Sequence, residues 1–167
     1  MVRALRLGAL ASWSLLAACA TVHQPQYGID GGRLRPCPPT PACASTIDLV
    51  EPRIAPLAYR SDWREARADL VAVLESFPGV RIASSHRSYL RAEFPSKAQR
   101  NLDRTEYQFP ERAGYDDVEL HLIIEEQAVH VRSASRLGRI DLGENRERIE
   151  EIRARFAARQ AARAARP

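Results

Sequence analysis

The chain has 167 residues, 45% of them hydrophobic and 28% charged, with 25 basic against 21 acidic side chains and three cysteines. That length holds one small domain with a single core, besides flanking segments. The formal charge of +4 does not mark a nucleic-acid binder, because five arginines and no acid lie from Arg153 onward, Arg3 and Arg6 open the chain, and residues 20–152 are slightly acidic, with 18 basic and 21 acidic groups.

The amino terminus predicts export. Arg3 and Arg6 form a charged region ahead of LGALASWSLLAA, an apolar run of about twelve residues that suits a signal peptide and is too short to span a bilayer. It ends Leu16-Ala17-Ala18-Cys19, which resembles the lipobox of bacterial lipoproteins. The resemblance implies that residues 1–18 are removed, that Cys19 takes a diacylglyceryl thioether, and that its new amino group is acylated. At roughly 0.8 kcal/mol per buried CH₂, two or three acyl chains hold a protein on a membrane durably. Ala20 in place of Asp implies, by resemblance to Gram-negative lipoprotein sorting, an outer-membrane protein facing the periplasm. With Cys19 set aside, Cys37 and Cys43 remain as a candidate disulfide in an oxidising compartment. A zinc half-site is the alternative for CPPTPAC, but it lacks a second cysteine pair or a nearby histidine. So small a ring would contribute on the order of 2 kcal/mol. Seven of the eleven prolines fall between Pro25 and Pro56, with Gly28, Gly31 and Gly32, so residues 19–56 read as an extended tether.

Residues 57–157 read as one domain. In SDWREARADLVAVLESFP, Asp62 and Glu65 have capping-box spacing, and Trp63, Ala66, Leu70, Val73 and Phe77 share a helical face that Pro78 and Gly79 terminate. GVRIASSH and YLRAEFP alternate as half-buried strands, with Val80, Ile82 and Ser84 on one face of the first and Leu90, Ala92 and Phe94 on one face of the second. Residues 97–115 are polar and aperiodic and read as a long loop. DDVELHLIIEE places Val118, Leu120, Leu122 and Ile124 on one face, and AVHVRSASR places Val129, Val131, Ser133 and Ser135 likewise. A turn near Glu126 and Gln127 predicts a hairpin with Ile124 opposite Val129, Leu122 opposite Val131 and Leu120 opposite Ser133. On its other face His121 would oppose Arg132, and Asp117 would oppose Arg136. Asp141 and Glu144 again have capping-box spacing, and Leu142, Asn145, Ile149, Ile152 and Phe156 line a second helix. Residues 158–167, rich in Ala and Arg, read as a solvated, fraying end. The order helix, four strands, helix predicts an α+β fold: a four-stranded antiparallel sheet covered on one face by two helices.

Three chemistries compete for the polar residues. A Ser-His-Asp hydrolase is disfavoured, since Ser133 and Ser135 face the helices while His121 and His130 face away, and no G-x-S-x-G elbow exists. His121, His130 and Glu119 share a face, but exposed strand histidines are usually just that, so no metal or other cofactor is expected. The arginine forks of Arg132 and Arg136, near the start of the second helix, suit a carboxylate or phosphate. The same residues suit a structural joint, with Gly138 and Gly143 permitting tight turns, Asp141 capping, and Arg136 or Arg146 tied to Asp116 or Asp117.

CPPTPACAST, IAPL, YLRAE, DDVEL and RSASRLGRIDLGENRERIE together resemble the domain of unknown function family DUF 1499 over about residues 36–156. The resemblance highlights Cys37, Cys43, Asp116, Asp117, Arg132, Ser133, Ser135, Arg136, Gly138, Asp141, Gly143, Asn145 and Arg146, and brings no activity with it. The expectation is an envelope lipoprotein, membrane-held through Cys19. Its domain is expected to bind an anionic small molecule, an envelope polymer or an envelope partner without catalysis, at Asp116, Asp117, Arg132, Ser133, Ser135, Arg136, Asp141, Asn145 and Arg146. The alternatives are an enzyme on an envelope substrate, with Asp116 or Asp117 as acid or base beside Arg132 or Arg136, and a purely structural tethered domain.

Overall fold

The computed structural model describes residues 27–39, 41–48, 53–96, 114–136 and 143–166. Its elements in chain order are four short strands, β1 (Ile29–Asp30), β2 (Arg33–Leu34), β3 (Cys43–Ser45) and β4 (Leu57–Ala58), then α1 (Trp63–Glu75), four longer strands, β5 (Arg81–Ser85), β6 (Tyr89–Pro95), β7 (Tyr115–Ile123) and β8 (Ala128–Ser135), and α2 (Glu144–Ala164). The fold is α+β, as expected, but the main sheet has six strands rather than four. It runs β3-β8-β7-β6-β5, with β4 also on β8, all antiparallel, and β1 and β2 form a separate two-stranded sheet.

Three of the four short strands, β1, β2 and β3, come from the segment read as a tether, and β4 opens the segment read as the domain. Each has only two or three residues, too few to show a period of two, and each exists because a longer strand or a partner is there to pair with it. The β3 residues Cys43, Ala44 and Ser45 pair with Ala134, Ser133 and Arg132, while Leu57 and Ala58 of β4 pair with Val129 and Ala128, so two short pieces share the β8 edge. Thr46 extends this join: its N–H donates to the Val131 carbonyl, and the Val131 N–H donates to its Oγ1, both at 2.9 Å.

The core lies between the helices and one sheet face. Leu90, Ala92, Phe94, Val118, Leu120, Leu122, Val129 and Val131 meet Ala66, Leu70, Val73 and Leu74 of α1 and Ile149, Ile152 and Phe156 of α2, all buried. The alternation read from β6, β7 and β8 thus aims the correct side chains inward. The pairing of β7 with β8 differs by two residues from the expected register: Leu122 opposes Val129, Leu120 opposes Val131 and Val118 opposes Ser133. The turn occupies residues 124–127, with Gln127 at φ 49° and its N–H donating to Ile124 O. A two-residue offset preserves every face, because strand side chains alternate with period two. It changes the partners, so His121 opposes His130, Glu119 opposes Arg132 and Asp117 opposes Ala134.

Asp62 caps α1 by accepting from Arg64 N at 2.8 Å. The second helix begins later than predicted, at Glu144, with Gly143 as its N-cap at φ 88° and no side-chain cap. A left-handed residue there favours glycine. Asp141, the expected cap, and Gly138 lie outside the described residues. The Ala/Arg-rich end is helical, since α2 continues to Ala164 and brings Arg159 and Arg163 onto Asp69 of α1. Asp69 is 1% exposed, and the Arg163 hydrogen bond is the leading cause that holds its carboxyl below the ordinary range. The double substitution Arg159→Gln with Arg163→Gln is expected to lower stability measurably in chemical denaturation, because it leaves the buried Asp69 carboxylate without its donors. A change within experimental error would mean that the helix end frays in solution.

Candidate functional site

The two aspartates of the Asp116-Asp117 pair point to opposite faces of β7, and each meets arginine. On the helix side, Asp116 accepts from Arg148 Nη2 at 2.7 Å. The other Arg148 nitrogen donates to Ser133 Oγ at 2.8 Å and to Asn145 Oδ1 at 2.9 Å, and the Ser133 hydroxyl donates to Asn145 Oδ1 at 2.7 Å. Asn145 Nδ2 donates to Ser135 Oγ and to the Ala42 carbonyl, both at 3.2 Å. Ala42 precedes Cys43, which is bonded to Cys37, so the disulfide loop delivers a backbone acceptor to the first turn of α2. Asn145 therefore ties three segments distant in sequence, which explains a polar residue on an apolar helical stripe.

On the opposite face, Asp117 accepts from Arg136 Nε and Nη2 and from Arg91 Nη1, all at 2.7 Å. Glu93 accepts from Arg136 at 2.6 Å, from Arg91 at 3.3 Å and from Arg81. Further along, Glu119 accepts from Arg132 at 2.7 Å, from the Tyr89 hydroxyl at 2.8 Å and from the Gly28 N–H at 2.5 Å. The sequence reads this face as one whose arginine forks suit an anionic ligand. It is instead covered by the β1–β2 hairpin, whose Leu34 is 2% exposed, and Tyr27 lies against Arg91, with the guanidinium 4.1 Å from the ring centre.

Burial works to raise Glu93, but the hydrogen bonds from Arg136 and Arg81 outweigh it and hold the carboxyl at about 2. Asp116 goes the other way, raised by burial against the pull of Arg148. Burial is also the first cause that raises the Tyr89 hydroxyl and lowers the His121 and His130 imidazoles. Because Glu93 titrates lower folded than unfolded, where its ordinary value is 4.5, its contribution is complete above that pH and is lost as pH falls toward about 2. The shift corresponds to on the order of 3 kcal/mol. Stability measured by urea titration is expected to drop across that window, and Glu93→Gln should flatten the drop while costing stability at pH 7. Parallel acid profiles for the two proteins would contradict the assignment.

The expected site residues thus do not converge. Asp117, Arg132 and Arg136 lie on the hairpin side of the sheet, whereas Asp116, Ser133, Ser135 and Asn145 lie on the helix side, so they cannot line one pocket. Arg146 is half-buried on α2, and Asp141 and Cys19 lie outside the described residues. Five participants were not anticipated: Tyr89, Arg91 and Glu93, the alternate face of β6, and Arg148 and Ala42. Arg148 was legible as the residue three after Asn145 on the same helical side. The serines and both histidines are separated by the sheet, as expected, and among the described residues no group of three or more His, Cys, Asp or Glu is arranged to hold a metal ion.

An α+β domain fastened by ion pairs on both faces of its sheet is what the geometry defines. Residues 33–156 match the model of a family described as protein of unknown function, DUF1499, and the chain belongs to that family. Neither the curated proteins nor the solved structures include a match to it.

Proposed function

We propose that the protein is a lipid-anchored module of the bacterial cell envelope, held by acylated Cys19, whose domain binds an anionic ligand or an envelope partner without catalysing a reaction. One observation carries the non-catalytic reading: the acidic groups that an enzyme would use are committed to arginines and closed off. Asp116, Asp117 and Glu119 are 2%, 3% and 0% exposed, and each accepts from a guanidinium. A general acid or base must reach a substrate proton, which a sealed carboxylate does not, and must titrate near the working pH, which Glu93 at about 2 does not. The anchor is supported by the Leu16-Ala17-Ala18-Cys19 sequence behind a charged and apolar leader. Among the described residues no helix is long and apolar enough to cross a membrane.

Feeding cells a clickable palmitate analogue tests the anchor. The wild-type chain is expected to be labelled and to fractionate with outer membranes, and Cys19→Ala to lose both properties. Equal membrane association of an unlabelled wild-type chain would dismiss the lipoprotein reading.

A further inference from the structure

Two arginines stack on one indole where α1 begins and β5 turns into β6, and a third ties the helix to that turn. The Arg64 guanidinium lies 4.5 Å from the centre of the Trp63 ring, and that of Arg87, on the β5–β6 turn, lies 4.9 Å from it. Arg67, three residues along α1 from Arg64, donates to the His86 carbonyl at 3.0 Å and to Ser85 Oγ at 2.5 Å, so the helix and the turn are joined. The Arg64 side chain is 70% exposed, and His86 and Arg87 are exposed as well.

Charge balance sets this cluster apart. Arg81, Arg91, Arg132, Arg136 and Arg148 each pair with a carboxylate that is 7% exposed or less. Here the half-exposed Asp62 lies 3.5 Å from Arg64, and Arg67 and Arg87 make no ion pair among the described residues. Each cation gains only weakly from the half-buried ring, so the indole positions the guanidiniums more than it neutralises them. Stacking on the indole limits the freedom of the forks while leaving donor edges for an oxygen ligand. A carboxylate offers two oxygens in one plane, whereas a phosphate offers three or more acceptor oxygens in a tetrahedral array that can meet forks arriving from different directions.

We propose that Trp63, Arg64, Arg67 and Arg87 form a phosphate-binding site, with the three arginines as donors and the indole as the platform that orders two of them. This rests on the reading of the domain as an anionic-ligand module, and places the contact at the α1 end rather than at Arg132 and Arg136. Two sources can supply the group: a soluble phosphorylated polymer or a phospholipid headgroup.

The test uses the full chain in neutral detergent and follows phenylglyoxal modification of each arginine by peptide mass spectrometry. Inositol hexakisphosphate is the soluble probe, and micelles doped with phosphatidylglycerol present the headgroup. Protection of Arg64 and Arg87, with exposed Arg33 still modified, is the expected result. Protection by only one probe assigns the source. In calorimetry, Arg87→Gln should weaken binding of the effective probe roughly tenfold or more, and Arg33→Gln should leave it unchanged; Arg87 is exposed on a turn, so its variant is checked for folding by circular dichroism. No protection by either probe at physiological salt, or equal losses in the two variants, would overturn the site. The palmitate experiment is independent of this outcome, so failure here leaves the anchored module standing.

Discussion

Arg132→Met is expected to lower the unfolding free energy by about 3–5 kcal/mol, because it leaves a fully buried carboxylate without its counter-charge. Glu119 is 0% exposed and Arg132 3%, so water cannot replace the lost partner without opening the hairpin that covers them. The loss should therefore be accompanied by faster proteolysis or amide exchange around residues 27–34, whose Gly28 N–H is held by the same carboxylate. Pairing the substitution with Glu119→Gln removes the stranded charge while keeping an acceptor for Tyr89 and Gly28. That double variant is expected to be more stable than Arg132→Met alone, consistent with an Arg132 Nε that is itself buried and has no hydrogen-bond partner among the described residues. Guanidinium titrations with matched m-values measure both effects. A single variant within 1 kcal/mol or so of wild type would mean that the pair is solvated.

Arg148→Met should be as damaging at neutral pH, about 3–5 kcal/mol, for a different reason. One guanidinium bonds Asp116, Ser133, Asn145 and Glu144 and lies 5.4 Å from the centre of the Phe94 ring, so its removal unties the first turn of α2 from β7 and β8 as well as stranding a charge. The pH dependence identifies the charge component. Asp116 is already raised by burial above its ordinary 3.8, and loss of Arg148 raises it further. A group titrating higher in the folded state destabilises above that folded value when ionised, and the penalty fades as pH falls toward the unfolded value, where both states are protonated. The deficit of Arg148→Met relative to wild type is thus expected to shrink between pH 7 and about 4. A deficit that stays constant would assign the damage to packing and hydrogen bonds alone.

The segment 131–153 is both strand end and helix start, and its chemical density has a structural explanation at most positions. Arg132 and Arg136 serve the hairpin face, Ser133, Ser135, Asn145 and Arg148 serve the helix face, and Gly143 supplies the left-handed turn. The disulfide segment belongs to the same assembly, because Ala42 accepts from both Ser135 N and Asn145 Nδ2. Residues that look like a site in a linear reading are here the fasteners between a sheet, a helix and a proline-rich strap.

Local alternation and helical spacing determined by themselves the α+β class, both helices, the four longer strands and the inward faces of β6, β7 and β8. Those patterns survive because burial acts on each element through its own period, whatever its neighbours. Only tertiary structure decided the exact β7–β8 pairing, the four short strands, the clamp on Asp69 and the hairpin over the charged face. Register offset by two leaves the hydrophobic pattern unchanged, a two-residue strand has no pattern to read, and a charged side chain in sequence gives no sign of whether water or another segment will lie over it. The separation of the polar residues onto two faces was legible, but whether each face is open depended on residues 27–48 folding back, and that is set by contacts far apart in the chain.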